Sequence, residues 1–287
     1  MIRKVALFLL ALVLVAAAWE LYKLIGPVDG GQLLGMRILP RANDTAMPHV
    51  WEMGTALTDT ENRQSDRPVW RVVLDASWYS FRLAVAGFVL GSAVGIGLAT
   101  VMARFGIVRR GLLPYLVVSQ TVPLIALAPL VVSWGGKLQI GGWEWPRWLS
   151  VTILGAFLAF FPVAVGALRG LESAPATALE LMRSFAASNG QTMRTLRFPS
   201  AVPFLVPALK LAAAGAVIGV VVAEISTAAR NGIGRLILEY SRQATAAPAK
   251  VYPAIFGAAL VGLAMAAVVA IVDHVLMRNR PRPEEAS

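Results

Sequence analysis

The chain has 287 residues, 57% of them hydrophobic and only 15% charged, with a mean hydropathy of +0.67. Soluble domains carry about 25% charge, so this composition excludes an ordinary soluble fold, and the absence of cysteine excludes a disulfide framework and thiolate chemistry. A formal net charge of +10 would suggest nucleic acid in a soluble protein, but in so apolar a chain basic residues gather in cytoplasmic loops against anionic headgroups.

Four runs are free of charge: Leu83–Ala103, Gly111–Gly136, Trp148–Leu168 and Val251–Val272. Each is near or above the roughly 20 residues that a helix needs to cross a bilayer. Two more are interrupted. One is Val5–Trp19, extended through Tyr22 to Ile25; the other is Ala201–Ile225, which holds Lys210 and Glu224. The predicted class is an all-α, polytopic integral membrane protein of the bacterial inner membrane with about six transmembrane helices.

In chain order, residues 1–26 form the first span, over about 4–25, with Arg3 and Lys4 inside. The stretch also has the look of a signal peptide ending at Ala16-Ala17-Ala18. The preferred reading is an uncleaved span anchored by Trp19 and Tyr22. Residues 27–77 form an acidic extracytoplasmic segment. Within it "MPHVWEMGTAL" predicts a short amphipathic helix, with Val50, Trp51, Met53 and Leu57 against apolar surface. Residues 78–276 carry five more spans, over about 80–103, 112–134, 148–168, 203–227 and 251–276, and the tail 277–287 is inside. Basic residues at the N-terminus, at 104–110 and in the tail support this orientation, whereas Arg230, Arg235, Arg242 and Lys250 fall in an outer loop and oppose it. Gly87, Gly91 and Gly95, spaced by four, predict close helix packing in the second span.

Few polar groups fall inside the spans. They are Ser119, Gln120 and Thr121 beside Pro123 in the third, Arg82 at the start of the second, and Lys210 and Glu224 in the fifth. Intramembrane charges face the bundle interior or water and mark pathways. Arg82 and Glu224 lie toward the same side, as an ion pair or as parts of an outer gate. Lys210 snorkels to the inner interface. Pro123 and Pro129 interrupt backbone hydrogen bonds, so the third span is expected to line a pathway. His49 and His274 are far apart, and no metal site is read. Clustered carboxylates, a histidine pair and a phosphate-binding loop are all missing from the sequence, so no catalytic residue and no nucleotide or cofactor site is assigned to this chain.

A polar break, "ALELMRSFAASNGQTMRTLRFPSAVP", separates the fourth and fifth spans. It predicts a helix over 173–188, capped by Ser173, stopped by Asn189-Gly190 and carrying an apolar face of Ala178, Leu181, Met182 and Phe185. Glu180 and Arg183 are spaced for a weak pair. A second short helix follows over about 191–196, and Pro199, Pro203 and Pro207 then break and restart the chain.

The break resembles the cytoplasmic signature of binding-protein-dependent ABC importer permeases: Glu-Ala-Ala, three residues, Gly, nine residues, Ile, one residue, Leu-Pro. Here Glu180-Leu181-Met182 stand first, Ala186 falls at the glycine with Gly190 four residues on, Leu196 at the isoleucine, and Phe198-Pro199 at Leu-Pro. "SQTVPLIALAPLVVSWGG" and "AEISTAARNGIGRLI" resemble the nitrate/sulfonate/taurine-type permeases. The resemblance covers about 77–276; the segment 27–77 and "GKLQIGGWEWPRW" fit it poorly. It implies that 173–188 is a coupling helix seated on a cytoplasmic ATPase subunit, which holds ATP and Mg, and that the pathway runs between two permease copies as a homodimer. It further implies an extracytoplasmic binding protein that delivers a sulfonate, nitrate, taurine or vitamin precursor. A stand-alone secondary carrier or channel is the alternative.

Overall fold

The computed structural model describes residues 2–33, 36–62, 65–140, 142–227, 229 and 231–277; Arg230 and the tail beyond 277 lie outside them. The elements in order are α1 (Ile2–Ile25), β1 (Gly31–Leu33), β2 (Met36–Leu39), α2 (Val50–Thr55), β3 (Thr60–Asn62), β4 (Ser65–Pro68), α3 (Val69–Arg104), α4 (Gly106–Ser119), α5 (Leu124–Gly135), β5 (Gln139–Ile140), β6 (Trp143–Glu144), α6 (Arg147–Glu172), α7 (Ala176–Ser184), α8 (Asn189–Thr192), a π-turn over Met193–Arg197, α9 (Phe198–Thr227), α10 (Ile233–Arg242), a 3₁₀ turn at Pro248–Lys250 and α11 (Val251–Met277). The strands form three separate antiparallel pairs. Among the described residues, four helices are long and apolar enough to cross a membrane, or five if the bent pair α4–α5 counts as one span. The protein is therefore an all-α polytopic membrane protein. The chain divides into two compact units, 1–76 with 236–257 and 77–235 with 258–287.

In the first unit the last turns of α1 grip the segment before α2. Trp19 Nε1 donates to the Pro48 carbonyl at 3.0 Å, and Tyr22 Oη to that of Pro40 at 2.9 Å. Lys23 donates to Asp44 at 2.6 Å, which holds the Asp44 carboxyl below the usual range. Glu20 takes the α2 backbone N–H of Val50 at 2.7 Å and faces His49 Nδ1 at 2.8 Å. His49 is thus paired, and its ring stacks on Trp51 with centroids 4.0 Å apart. Met53 is buried as the amphipathic pattern requires, whereas Trp51 is exposed. Tyr240 of α10 is buried without a hydrogen-bond partner for its hydroxyl among the described residues; burial, with Glu61 and Glu239, pushes its pKa up to about 12.

Helix α3 begins eleven residues before the expected 80 and has 36 residues, about 54 Å at 1.5 Å per residue. Val69, Val72, Val73 and Ala76 are buried at i, i+3, i+4 and i+7, so its first turns are an amphipathic helix that flanking charges disguised.

The second unit is built on close helix contacts. In lipid, apolar surface gives helices little reason to associate, and small residues that admit a neighbouring backbone supply the packing instead. The three glycines of α3 do this against α6. A Cβ at Gly87 would stand 2.9 Å from the Thr152 carbonyl, one at Gly91 2.7 Å from that of Ala156, and one at Gly95 2.6 Å from that of Phe160. The contacts climb both helices four residues at a time. α6 in turn packs along α9, the most extensive helix pair in the unit. Gly219 meets the Leu154 carbonyl, and Gly170 meets Ala201, each at 2.7 Å from an added Cβ. The core inside this layer includes Met102, Leu116, Val163, Leu171 and Met265.

Two further expectations change. The third span, read as one span interrupted at its prolines, is two helices bent by 102°. The prolines after the polar break do not stop the chain, because α9 runs through Pro203 and Pro207 and is continuous with α8 back to Asn189. In an apolar setting the remaining backbone bonds are too valuable to open, so proline is accommodated within the helix. The wider π-turn lies just ahead of Pro199, where a tight preceding turn would meet the proline ring.

Substituting alanine at two glycines of α3 separates packing from propensity. Gly97 faces open space, so Gly97→Ala should stabilise by about 0.5–1 kcal/mol. Gly91→Ala should destabilise by about 1–3 kcal/mol, because its methyl meets backbone. Thermal unfolding of the detergent-solubilised chain reads both signs.

Candidate functional site

Glu224 sits near the C-terminal end of α9 and is fully buried. The Ser80 hydroxyl of α3 donates to its carboxyl, 2.7 Å from Oε1 and 2.8 Å from Oε2. The backbone N–H of Gly234 donates to Oε2 at 2.9 Å, and that of Ile233 to Ser80 Oγ at 2.9 Å. The carboxyl therefore ties three elements together: α3, α9 and the start of α10. Gly232 makes this possible, since any Cβ there would overlap the Glu224 carboxyl. Just before it, Asn231 adopts a left-handed φ of 75°. The expected partner is absent: no ion pair joins Arg82 to Glu224. Arg82 is exposed, with its guanidinium over the rings of Trp78 and Tyr79 at 6.0 and 5.9 Å. Ser80 is the residue that sequence reasoning missed. It lies 144 positions from Glu224, and a lone serine in an apolar run gives no signal of its partner.

Ser119, Gln120, Thr121 and Pro123 come together at the bend between α4 and α5. Pro123 supplies the extended residue before α5, and Gln120 closes α4. The Ser119 hydroxyl donates to the Leu116 carbonyl at 2.7 Å, and that of Thr121 to Val118 at 2.8 Å. The half-buried Gln120 side-chain amide donates to the Ser119 hydroxyl at 3.4 Å. The bend has the form of a broken span or a re-entrant loop.

Lys210 does not merely reach for the interface. It pairs with Asp273 of α11 at 2.8 Å, at the edge of a cavity of about 530 Å³ lined by Ala213, Val217, Met265 and Val269. Asp273 went unread because it directly follows the last apolar run.

The polar break folds differently at its ends. Ser173 closes α6, donating to Gly170 at 2.8 Å, and Pro175 precedes α7. α7 ends at Ser184 and not at 188. Asn189-Gly190 begins the next helix, capped by Ser188 and Gln191. No residue of α7 is buried: Ala178 and Met182 are half-buried, Leu181 is 57% exposed and Phe185 75% exposed. Glu180 and Arg183 are both exposed, and no ion pair joins them. Ala186 turns the chain with φ 52°, a left-handed conformation that favours glycine. Leu196 falls in the π-turn, with Pro199 in the first turn of α9.

Two sets of variants test this geometry by thermal unfolding. Ser80→Ala removes a donor from a buried carboxyl and an acceptor from Ile233, and should cost about 1–3 kcal/mol. Gly232→Ala should also destabilise. Ala186→Gly should stabilise by about 0.5–1 kcal/mol by relieving the left-handed alanine.

Comparison with known proteins supplies the family. The model of the binding-protein-dependent transport system inner membrane component matches residues 87–280. The formylaminopyrimidine transport permease protein of Halalkalibacterium halodurans is 32% identical over 200 residues, 68% of this chain and 74% of that protein. The riboflavin transport system permease protein of Chloroflexus aurantiacus is 27% identical over 170 residues, 59% of each chain. The crystal structure of an amino acid ABC transporter superposes with a TM-score of 0.53 at 16% identity, covering 71% of this chain and 94% of that one, a likeness of fold. The chain belongs to the family of binding-protein-dependent transport system inner membrane components, and it is the permease of an ABC importer.

Proposed function

We propose that α7 is the coupling helix of this permease and that it seats Leu181 and Phe185 in an apolar groove of a separate cytoplasmic ATPase subunit. The observation that carries this reading is the exposed apolar tip of α7, which has no buried residue of its own. Apolar surface held out in this way requires a partner. The left-handed turn at Ala186 and the continuous helix from Asn189 to Thr227 follow directly, so a push on α7 acts at the root of a membrane-spanning helix.

The remaining parts of the proposal extend this reading. The chain lies in the bacterial inner membrane with its N-terminus inside, α1 is its first span, and residues 27–77 face outward. Two copies form the pathway, with the α4–α5 bend and the Glu224 node contributing to it. ATP and Mg bind the ATPase, and an extracytoplasmic binding protein delivers the solute. The solute is small, of the sulfonate, nitrate, taurine or vitamin-precursor kind. The Glu224 node, with Ser80 and Gly234 closing it, suits a joint of the outer gate that opens as α9 moves.

Phe185→Asp decides the docking reading. Full burial of a phenylalanine is worth about 1.5–3 kcal/mol, and a carboxylate in its place would enter the groove unpaired. The variant should reach the membrane at wild-type level yet fail to capture the ATPase in a pull-down by tagged permease. Glu180→Ala should loosen coupling without release. Capture at the wild-type ratio by Phe185→Asp would make α7 a lipid-surface element.

A further inference from the structure

Beside the Glu224 node the second unit holds an open cavity of about 420 Å³ lined by Tyr79, Arg147, Trp148, Ala229 and Asn231. Its lining thus holds two aromatic residues, an arginine and an asparagine. Arg147 is exposed, and no carboxylate pairs with it among the described residues. Glu144 shares the adjoining cavity with Arg147 without forming an ion pair. A second guanidinium, that of Arg82, lies 5.9 Å from the centre of the Tyr79 ring and has no ion-pair partner among the described residues. The cavity wall is therefore positive and aromatic at once.

The floor is tied to the node. The Ala229 N–H donates to the Glu224 backbone carbonyl at 3.3 Å. Ser80, the donor to the Glu224 carboxyl, follows Tyr79 directly, and Gly232, which must stay small beside that carboxyl, follows Asn231. The cavity and the node thus draw on adjacent residues of the chain.

We infer that this cavity is a selectivity site for a planar ring carrying an anionic group, with the ring against Trp148 and Tyr79 and the anion on Arg147. Guanidinium offers a rigid fork of donors suited to carboxylate or sulfonate, and aromatic faces reward a flat partner over an aliphatic one. Nitrate or a short alkyl sulfonate satisfies the arginine and leaves both rings unused. The inference rests on the permease reading and adds to it the class of solute.

The test uses purified full-length permease with its ATPase, titrated with benzenesulfonate, methanesulfonate and nitrate. Tryptophan fluorescence is read in the wild type and in Trp148→Phe, and the difference isolates Trp148 among the eight tryptophans. Benzenesulfonate should give a saturable change that Trp148→Phe abolishes, at least tenfold tighter than methanesulfonate. Arg147→Ala should weaken it by tenfold or more, Arg147→Lys by less, and Arg110→Ala not at all. Arg147→Ala should still capture the ATPase. No saturable Trp148-dependent change, equal affinity for the three anions, or unchanged affinity in Arg147→Ala would each overturn the site. Loss of ATPase capture by the wild type would instead overturn the permease assembly, so the two failures are distinguishable.

Discussion

Within a bilayer the chain must satisfy its own backbone and find reasons for its helices to touch, because lipid tails compete equally for every leucine. In this protein that constraint is met by small residues. Gly87, Gly91 and Gly95 let α3 rest on the carbonyls of α6, and Gly155, Gly215 and Gly219 do the same between α6 and α9. The three helices become a close-packed slab in which few displacements are free. The α4–α5 bend and the exposed α7 lie outside this slab.

Among the described residues, the Glu224 carboxyl is the one buried acid. A carboxyl out of water is costly unless its lone pairs are used, and here Ser80 and Gly234 use them. Such a joint has a threshold. While all its partners are in place it holds three elements, and when one moves away the group is left short and must find water. A cluster of leucines would yield gradually. A hydrogen-bonded carboxyl depends on each of its few partners.

How much of this was legible depends on the range over which each signal acts. Helical periodicity is local, and the glycine ladder, the apolar runs and the exposed face of α7 could be read from it. Pro123 marked the break in the third span, but its angle depends on packing. The start of α3 was misplaced because Arg71 and Asp75 outweighed the buried Val69, Val72, Val73 and Ala76. Pro203 and Pro207 were read by their behaviour in water, where a helix opens at little cost; in an apolar setting it does not. Ser80 and Asp273 were invisible as partners, since each is defined by a contact with a distant span.

Ala186 shows how a departure from a family's pattern is accommodated. At the position where the resemblance expects glycine, the chain still makes the left-handed turn, with an alanine that tolerates it at a cost of about 1–2 kcal/mol. The turn is therefore required by the geometry and not by the residue. It reverses the chain between α7 and α8 so that Phe185 stays at the exposed tip and Asn189 can begin a helix that continues without a stop to Thr227. A straight continuation of α7 would carry Phe185 onto the side of a longer helix and separate the tip from the span. The strain at Ala186 is thus tied to the placement of the apolar tip: the same residue that is least comfortable locally keeps the exposed tip of α7 and the membrane-length helix α9 within a few residues of each other.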